Sequence, residues 1–264
     1  MAHEAKQGFP FMTSAQPTAA VLLIGDEILS GRTKDKNLGF LADYLNAMGI
    51  DLKEARVVSD VEDEIVAAVN ALRHRYSYVF TTGGIGPTHD DITADAIAKA
   101  FGVPIDHDPK AVEILLAYFK EMGREPNEAR MRMARMPVGS TLIDNPVSKA
   151  PGFQIGNVFV MAGVPKIMNA MMDDVAKRLS RGVPMQSRSI EFRGGEGDAA
   201  KPLGEIQKAH PGVIIGSYPF QAADGFATNL VLRSRDDAAL EAAYAAVRAM
   251  AKELTEAGKA RGWS

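Results

Sequence analysis

The sequence predicts an α/β protein: a doubly wound, mostly parallel sheet followed by a small C-terminal α+β domain. Three observations carry this expectation. Short apolar runs alternate with helical patterns over residues 19–182, the signature of parallel strands joined by crossover helices. Glycines gather directly after the apolar runs, where strands hand over to helices. From residue 188 the order changes to strand, helix, strand, strand, helix. The expected organisation is a loose arm over residues 1–18, an α/β domain over 19–182 and a small α+β domain over 183–264.

Residues 19–25 (AAVLLIG) read as a buried strand ending at Gly25. Leu38, Leu41, Leu45 and Met48 recur at helical spacing behind a cap at Asp35 or Asn37, and Gly49 supplies a left-handed stop. A second strand at 52–58 leads into Ser59-x-x-Glu62, a capping box that opens a helix to about His74. Residues 77–82 (SYVFTT) are β-branched and aromatic and predict a third strand, which enters GGIGPTHDD before a helix at 94–101. Residues 109–122 predict an amphipathic helix, and a Met/Arg-rich helical stretch runs on to about Met136. An excursion with short strands fills 137–156, followed by a buried strand at 157–162 and a helix at 166–179. In the small domain, strands are expected at 188–193, 213–217 and 226–232, with helices at 199–210 and 236–258. The helix-end residues His74 and His210 fit C-terminal dipole partners, and Met131, Met133 and Met136 fit core packing.

Composition narrows the function classes. A hydrophobic fraction of 46% with 24% charged residues suits a packed globular core. Thirty basic and thirty-three acidic side chains give a formal net charge of −3, so no overall field attracts a nucleic acid or an anionic membrane. No apolar run approaches the ~20 residues that cross a bilayer. The absence of cysteine excludes thiolate nucleophiles, thiolate metal sites and disulfides, and a reducing cytoplasm is the expected home.

In an open parallel sheet, ligands bind beyond the carboxyl ends of the strands. Three segments are expected there: Gly25-Asp26-Glu27, the run from Gly83 through Asp91, and Ala162-Gly163-Val164-Pro165-Lys166. Gly83, Gly84 and Gly86 let the backbone bend into a nest of amides, and the following helix adds partial positive charge, a combination suited to phosphate. Neither Gly-x-x-x-x-Gly-Lys-Ser/Thr nor the third glycine of the dinucleotide fingerprint is present, which argues against a kinase-type P-loop and an NAD dehydrogenase. Adjacent Asp90 and Asp91 suit a hard cation such as Mg²⁺, or act simply as helix-start acids. His89 stands as a general acid or a surface residue, and Glu27 as a base or a solvated loop charge. Arg130, Arg132 and Arg135 form either a phosphate-facing stripe or a solvated helix face.

Four ordered motifs, GDEILSGRTKDKN, VFTTGGIGPTHDDITADAIA, RMARMPVGSTLIDNPVSKAPGF and VFVMAGVPKIMNAM, resemble the molybdopterin-binding (MoaB/Mog-like) domain. The CinA-like version is the most similar, and the segment after Arg188, with GVIIGSYP, resembles the stretch immediately C-terminal to that domain in CinA-like proteins. The resemblance implies a glycine loop that binds a small phosphorylated ligand, with Gly25, Asp26, Gly83, Gly84, Gly86, Pro87, Thr88, Ser148, Lys149, Gly163 and Pro165 around it. It further implies hydrolysis of a nucleotide pyrophosphate of the ADP-ribose or FAD type. Asp90 and Asp91 would hold Mg²⁺ or another divalent cation, and Glu27, Asp90 and His89 would act in catalysis. The alternatives are a non-catalytic molybdopterin-binding protein and an assembly module, and a homo-oligomer is expected. The chain is expected to lack the nicotinamide-nucleotide deamidase domain of full-length CinA, so that activity is not carried over. Lys149 departs from the pattern, where a small or hydroxyl residue is expected.

Overall fold

The uninterrupted apolar run near the N-terminus becomes β1 (Thr18–Ile24), in which every residue from Ala19 to Ile24 is at most 2% exposed. A strand with both faces covered has no polar face, which is why this segment reads as a continuous run instead of an alternation. The computed structural model describes residues 16–222 and 225–260. Most of the expected N-terminal arm, residues 1–15, lies outside them. Its last residues are anchored: Pro17 accepts from the Asp51 amide at 2.9 Å, and Thr18 already opens β1.

From β1 the chain passes through a single turn, α1 (Asp26–Leu29), then α2 (Asn37–Ala47), β2 (Asp51–Val58), α3 (Glu62–Arg73) and β3 (Tyr78–Thr82). The glycine loop leads to α4 (Thr93–Phe101), β4 (Ile105–His107), α5 (Pro109–Glu121) and α6 (Glu128–Met131). A 3-10 turn (Arg132–Ala134) precedes β5 (Arg135–Pro137), β6 (Thr141–Ile143), β7 (Gly152–Ile155), β8 (Val158–Met161) and α7 (Pro165–Val175). The main sheet has the order β2-β1-β3-β8-β7-β6. Its first four strands are parallel, and β7 and β6 are antiparallel additions.

The period of two along β1 divides the interior into two layers. Ala20, Leu22 and Ile24 pack with Ile65, Val69, Ile97 and Leu115 of α3, α4 and α5. Val21 and Leu23 face the other way, with Leu41 and Leu45 of α2 and Met168, Met171 and Met172 of α7. Phe80 and Phe159 stack there at 5.3 Å, and such a pair adds ~1 kcal/mol beyond the area it buries. Met136 is buried in the first layer, with Met131 and Met133 packed against it.

Local expectations fail in two places. The Ser59/Glu62 box does not form: α3 begins after Val61 with no side-chain cap, and Glu62 instead pairs with Lys99. The helical stretch to Met136 is also shorter than its periodicity suggests. It breaks after α6 and the 3-10 turn because Arg135–Pro137 pairs antiparallel with β4, a tertiary contact that overrides local propensity. Asp35 does cap, accepting from the Asn37 and Leu38 amides at 3.2 and 2.9 Å.

The second compact unit begins at Val183, directly after Gly182. It contains β9 (Gln186–Phe192), α8 (Glu196–Ala209), β10 (Ile214–Ala222), β11 (Gly225–Ser234) and α9 (Asp237–Ala260). The order β10-β11-β9 makes β10 an edge strand, which lets it run through Pro219 and extend beyond the expected 213–217. Phe192, Leu230 and Leu232 form its core with Leu240 and Val247 of α9. No helix among the described residues is long and apolar enough to cross a membrane.

Candidate functional site

β1 and β3 lie side by side, yet the chain leaves them in opposite senses, towards β2 on one flank and the β8 side on the other. A crevice therefore opens beyond their carboxyl ends, where no crossover helix can close it. A cavity of about 540 Å³ occupies this position. Gly25 and Glu27 border it from β1, Gly83 through Pro87 from β3, and Gly163 and Pro165 from β8.

The glycines are required by crowding at the strand ends. Gly83 has φ +107°, and a Cβ there would stand 2.1 Å from the Ile24 carbonyl oxygen. Gly84 has φ +66°, and its Cβ would meet the Thr93 hydroxyl at 2.1 Å. Both conformations are open to glycine and strained for other residues. Buried Thr93 then locks the loop to the start of α4: its hydroxyl donates to the Gly83 carbonyl at 2.9 Å and its amide to the Gly84 carbonyl at 3.0 Å. One expectation is corrected here. The Gly83 amide donates to the Met161 carbonyl at 3.2 Å, so Gly83 contributes space for the nest and not a phosphate donor.

Asp91 closes the loop from the far side, its carboxylate accepting from both the amide and the hydroxyl of Thr88. The Asp90 carboxyl is held below its ordinary value by the Thr88 hydroxyl, which it shares with Asp91, and by its own amide. Asp90 and Asp91 both border the cavity, but Asp91 is committed to the loop.

A fourth acid, which the sequence reading missed, also borders the cavity. Asp60, just beyond β2, accepts from the Asp26 amide at 2.9 Å. Burial pushes its carboxyl up, opposed by that hydrogen bond and reinforced by the negative charges of Asp26, Glu27 and Asp90. Its position at the end of the strand beside β1 was the available signal; the capping-box pattern around it drew the reading elsewhere. No three His, Cys, Asp or Glu side chains among the described residues stand close enough together to hold a metal ion.

The opposite wall is the turn after β6. Asn145, 2% exposed, donates to the Ser148 hydroxyl and the Ala150 carbonyl, and accepts from the Val147 and Ser148 amides. This organises the turn and sets Ser148 against the cavity. Lys149 adopts φ +62°, the one non-glycine positive φ among the described residues; it is exposed and does not line the cavity. Asn37 is buried beside the β3 and β8 ends, its amide donating to the Gly163 carbonyl at 2.7 Å. His89 projects into solvent with a 98% exposed side chain, 4.0 Å from Asp90, and takes no part in the cavity wall. Asp26 contributes its backbone and Thr88 its loop contacts; neither lines the cavity.

The family described as "probable molybdopterin binding domain" matches residues 20–181, well over half of the chain. The chain belongs to the molybdopterin-binding domain family. A second family, "FAD synthase, middle domain", matches residues 184–257 and so covers the small unit of this molybdopterin-binding-domain protein. A protein of Pyrobaculum calidifontis is 35% identical over 212 residues, 77% of this chain and 81% of the relative. The "probable FAD synthase" of Caenorhabditis briggsae is 31% identical over 264 residues, 90% of this chain but 49% of that protein. The crystal structure of the protein CinA, of unknown function, from Thermoplasma acidophilum is 34% identical with a TM-score of 0.58, covering 62% of this chain and 99% of that one. The CinA-like assignment and the mostly parallel fold agree with these relatives.

Proposed function

We propose that the cavity binds a nucleotide-type pyrophosphate, of the ADP-ribose or FAD kind, and hydrolyses it with the help of a divalent cation. The observation that carries this reading is the meeting of a glycine loop at a helix start with Glu27, Asp60 and Asp90 around one 540 Å³ cavity. The match of the small unit to a FAD synthase domain supports a flavin or adenine nucleotide over an unrelated phosphate ester.

The donor set suits a hard cation. Asp60 and Asp90 present carboxylate oxygens; burial first, and the neighbouring negative charges second, make Asp60 hard to ionise, and a bound cation would offset both. With no three acids close enough to form a cage, ligand phosphate oxygens would complete the coordination. When bound, such a cation supplies charge neutralisation at the phosphoryl oxygens. Gly84 and Gly86 would hold the bridging phosphates at the start of α4, where the helix dipole favours negative charge. Glu27 would orient the attacking water and take its proton. The phosphorus–oxygen bond formed by that water replaces the broken phosphoanhydride bond, leaving two phosphomonoesters. Asp91 serves as the loop's fastening rather than as a ligand to the cation.

The test is release of AMP from ADP-ribose or FAD by the full chain with Mg²⁺, Mn²⁺ or Co²⁺, with Glu27→Gln as control. Turnover that falls at least a hundredfold in E27Q is expected. No turnover of either substrate with any of the three cations discards the hydrolase reading. A second reading, a non-catalytic pterin binder, is favoured by the family description and uses the same cavity. Tight molybdopterin binding in calorimetry without nucleotide turnover would select it.

A further inference from the structure

The large cavity is lined by Glu27, Asp60, Asp90 and Asp91, and no lysine or arginine lines it among the described residues. A phosphate there meets carboxylates, backbone amides and neutral polar side chains such as Ser148, but no cationic one among the described residues. Against the same glycine loop lies a second cavity of about 20 Å³, room for one water. It shares Gly84, Gly86 and Asp91 with the first and is additionally lined by Arg132 and Arg135.

The two arginines differ. Arg135 is neutralised by Asp95, which accepts from its Nη2 at 2.7 Å. Arg132 forms no ion pair among the described residues. Its Nη2 reaches the Asp91 backbone carbonyl at 3.4 Å, and its Nε is buried with no hydrogen-bond partner. A partly buried guanidinium without a counter-charge costs stability, because desolvation is not repaid by an anion. Structural duty does not account for the cost, since a single long contact to a carbonyl needs no full positive charge. The residue is set by the 3-10 turn at Arg132–Ala134, whose Ala134 is fully buried, so its position is fixed by packing.

We infer that Arg132 is the site's cationic specificity residue: from its place against the glycine loop, its charge offsets that of the ligand phosphates and makes affinity rise with phosphate charge. This rests on the nucleotide-binding reading above. In the partly desolvated loop the attraction is less screened by salt than at an open surface. The carboxylates of the large cavity repel the same phosphates, so discrimination between ligand charge states depends on the arginine.

Binding of adenosine, AMP and ADP by calorimetry with Mg²⁺ tests it, using wild-type protein, Arg132→Gln and Arg132→Lys, with melting temperatures recorded alongside. R132Q is expected to lose about tenfold for AMP and more for ADP, while adenosine stays within about twofold. R132K is expected to recover most of the loss, because it restores charge without the guanidinium fork. Equal losses for all three ligands, or R132K behaving as R132Q, would show a structural residue and overturn the inference. So would R132Q binding ADP as wild type does, with the nucleotide site itself left intact. Wild-type protein that binds neither AMP nor ADP would remove the site reading, and this role with it.

Discussion

The Asp60 carboxylate accepts the Asp26 backbone N–H at 2.9 Å, which ties the end of β2 to the end of β1 at the mouth of the cavity. Burial, reinforced by the charges of Asp26, Glu27 and Asp90, outweighs this hydrogen bond and leaves the carboxyl harder to ionise than an ordinary aspartate. For an acid whose folded-state pKa is raised, the folded protein holds the proton more tightly, so this group favours the folded state at low pH and penalises it once ionised. Asp60→Asn is therefore expected to melt no lower than wild type at pH 7, while losing at least tenfold in cation-dependent turnover. A lowered melting point with unchanged turnover would make Asp60 a structural residue.

The same shift fixes the sign of a pH dependence in the window above pH ~4, where unperturbed carboxylates are already ionised. Without a divalent cation, phosphate binding should weaken as pH rises through the Asp60 transition, because a new negative charge appears beside the anion. With Mg²⁺ the slope should reverse, since the cation competes with that proton. Calorimetry of pyrophosphate at several pH values, with and without Mg²⁺, checks both slopes. Identical slopes would separate Asp60 from the ligand.

Two glycine substitutions should part company. Gly83→Ala forces a Cβ against the Ile24 carbonyl in a conformation alanine resists, and is expected to destabilise the fold by about 2–4 kcal/mol in denaturant unfolding. Gly86→Ala meets the Asp91 carboxylate that fastens Thr88, so it disturbs the loop and not the core. It should cost only about 1 kcal/mol while lowering nucleotide affinity tenfold or more.

Much of this was legible beforehand, for physical reasons that can be named. A strand buried on both faces must be apolar throughout, so β1 and the core of β3 declared themselves. Crowding at strand ends admits only glycine, so the loop at Gly83 and Gly84 stood out as well. Asp60 did not, because an acid two residues beyond a strand and two before a helix fits a cap as well as a site. His89 was overrated for the converse reason: its place in the motif says nothing of its direction, and its ring lies in solvent. The β4–β5 pairing was invisible because three-residue strands carry no periodicity of their own.

The turn opposite the glycine loop offers a stability test. Asn145→Ala removes four hydrogen bonds from a buried side chain and should cost about 2–3 kcal/mol. Lys149→Gly relieves a left-handed lysine and should raise stability by about 0.5–1 kcal/mol. If nucleotide affinity also stays unchanged in K149G, the lysine takes no part in binding. A clear loss would restore the phosphate contact that its place in the motif suggested.

The most direct measurement is a crystal structure of the protein soaked with ADP-ribose and Mg²⁺. Pyrophosphate density is expected against Gly84–Gly86, within reach of Glu27, with the cation between Asp60, Asp90 and the phosphate oxygens. Density for the nucleotide at any other surface, with the glycine loop left bare, would contradict that expectation.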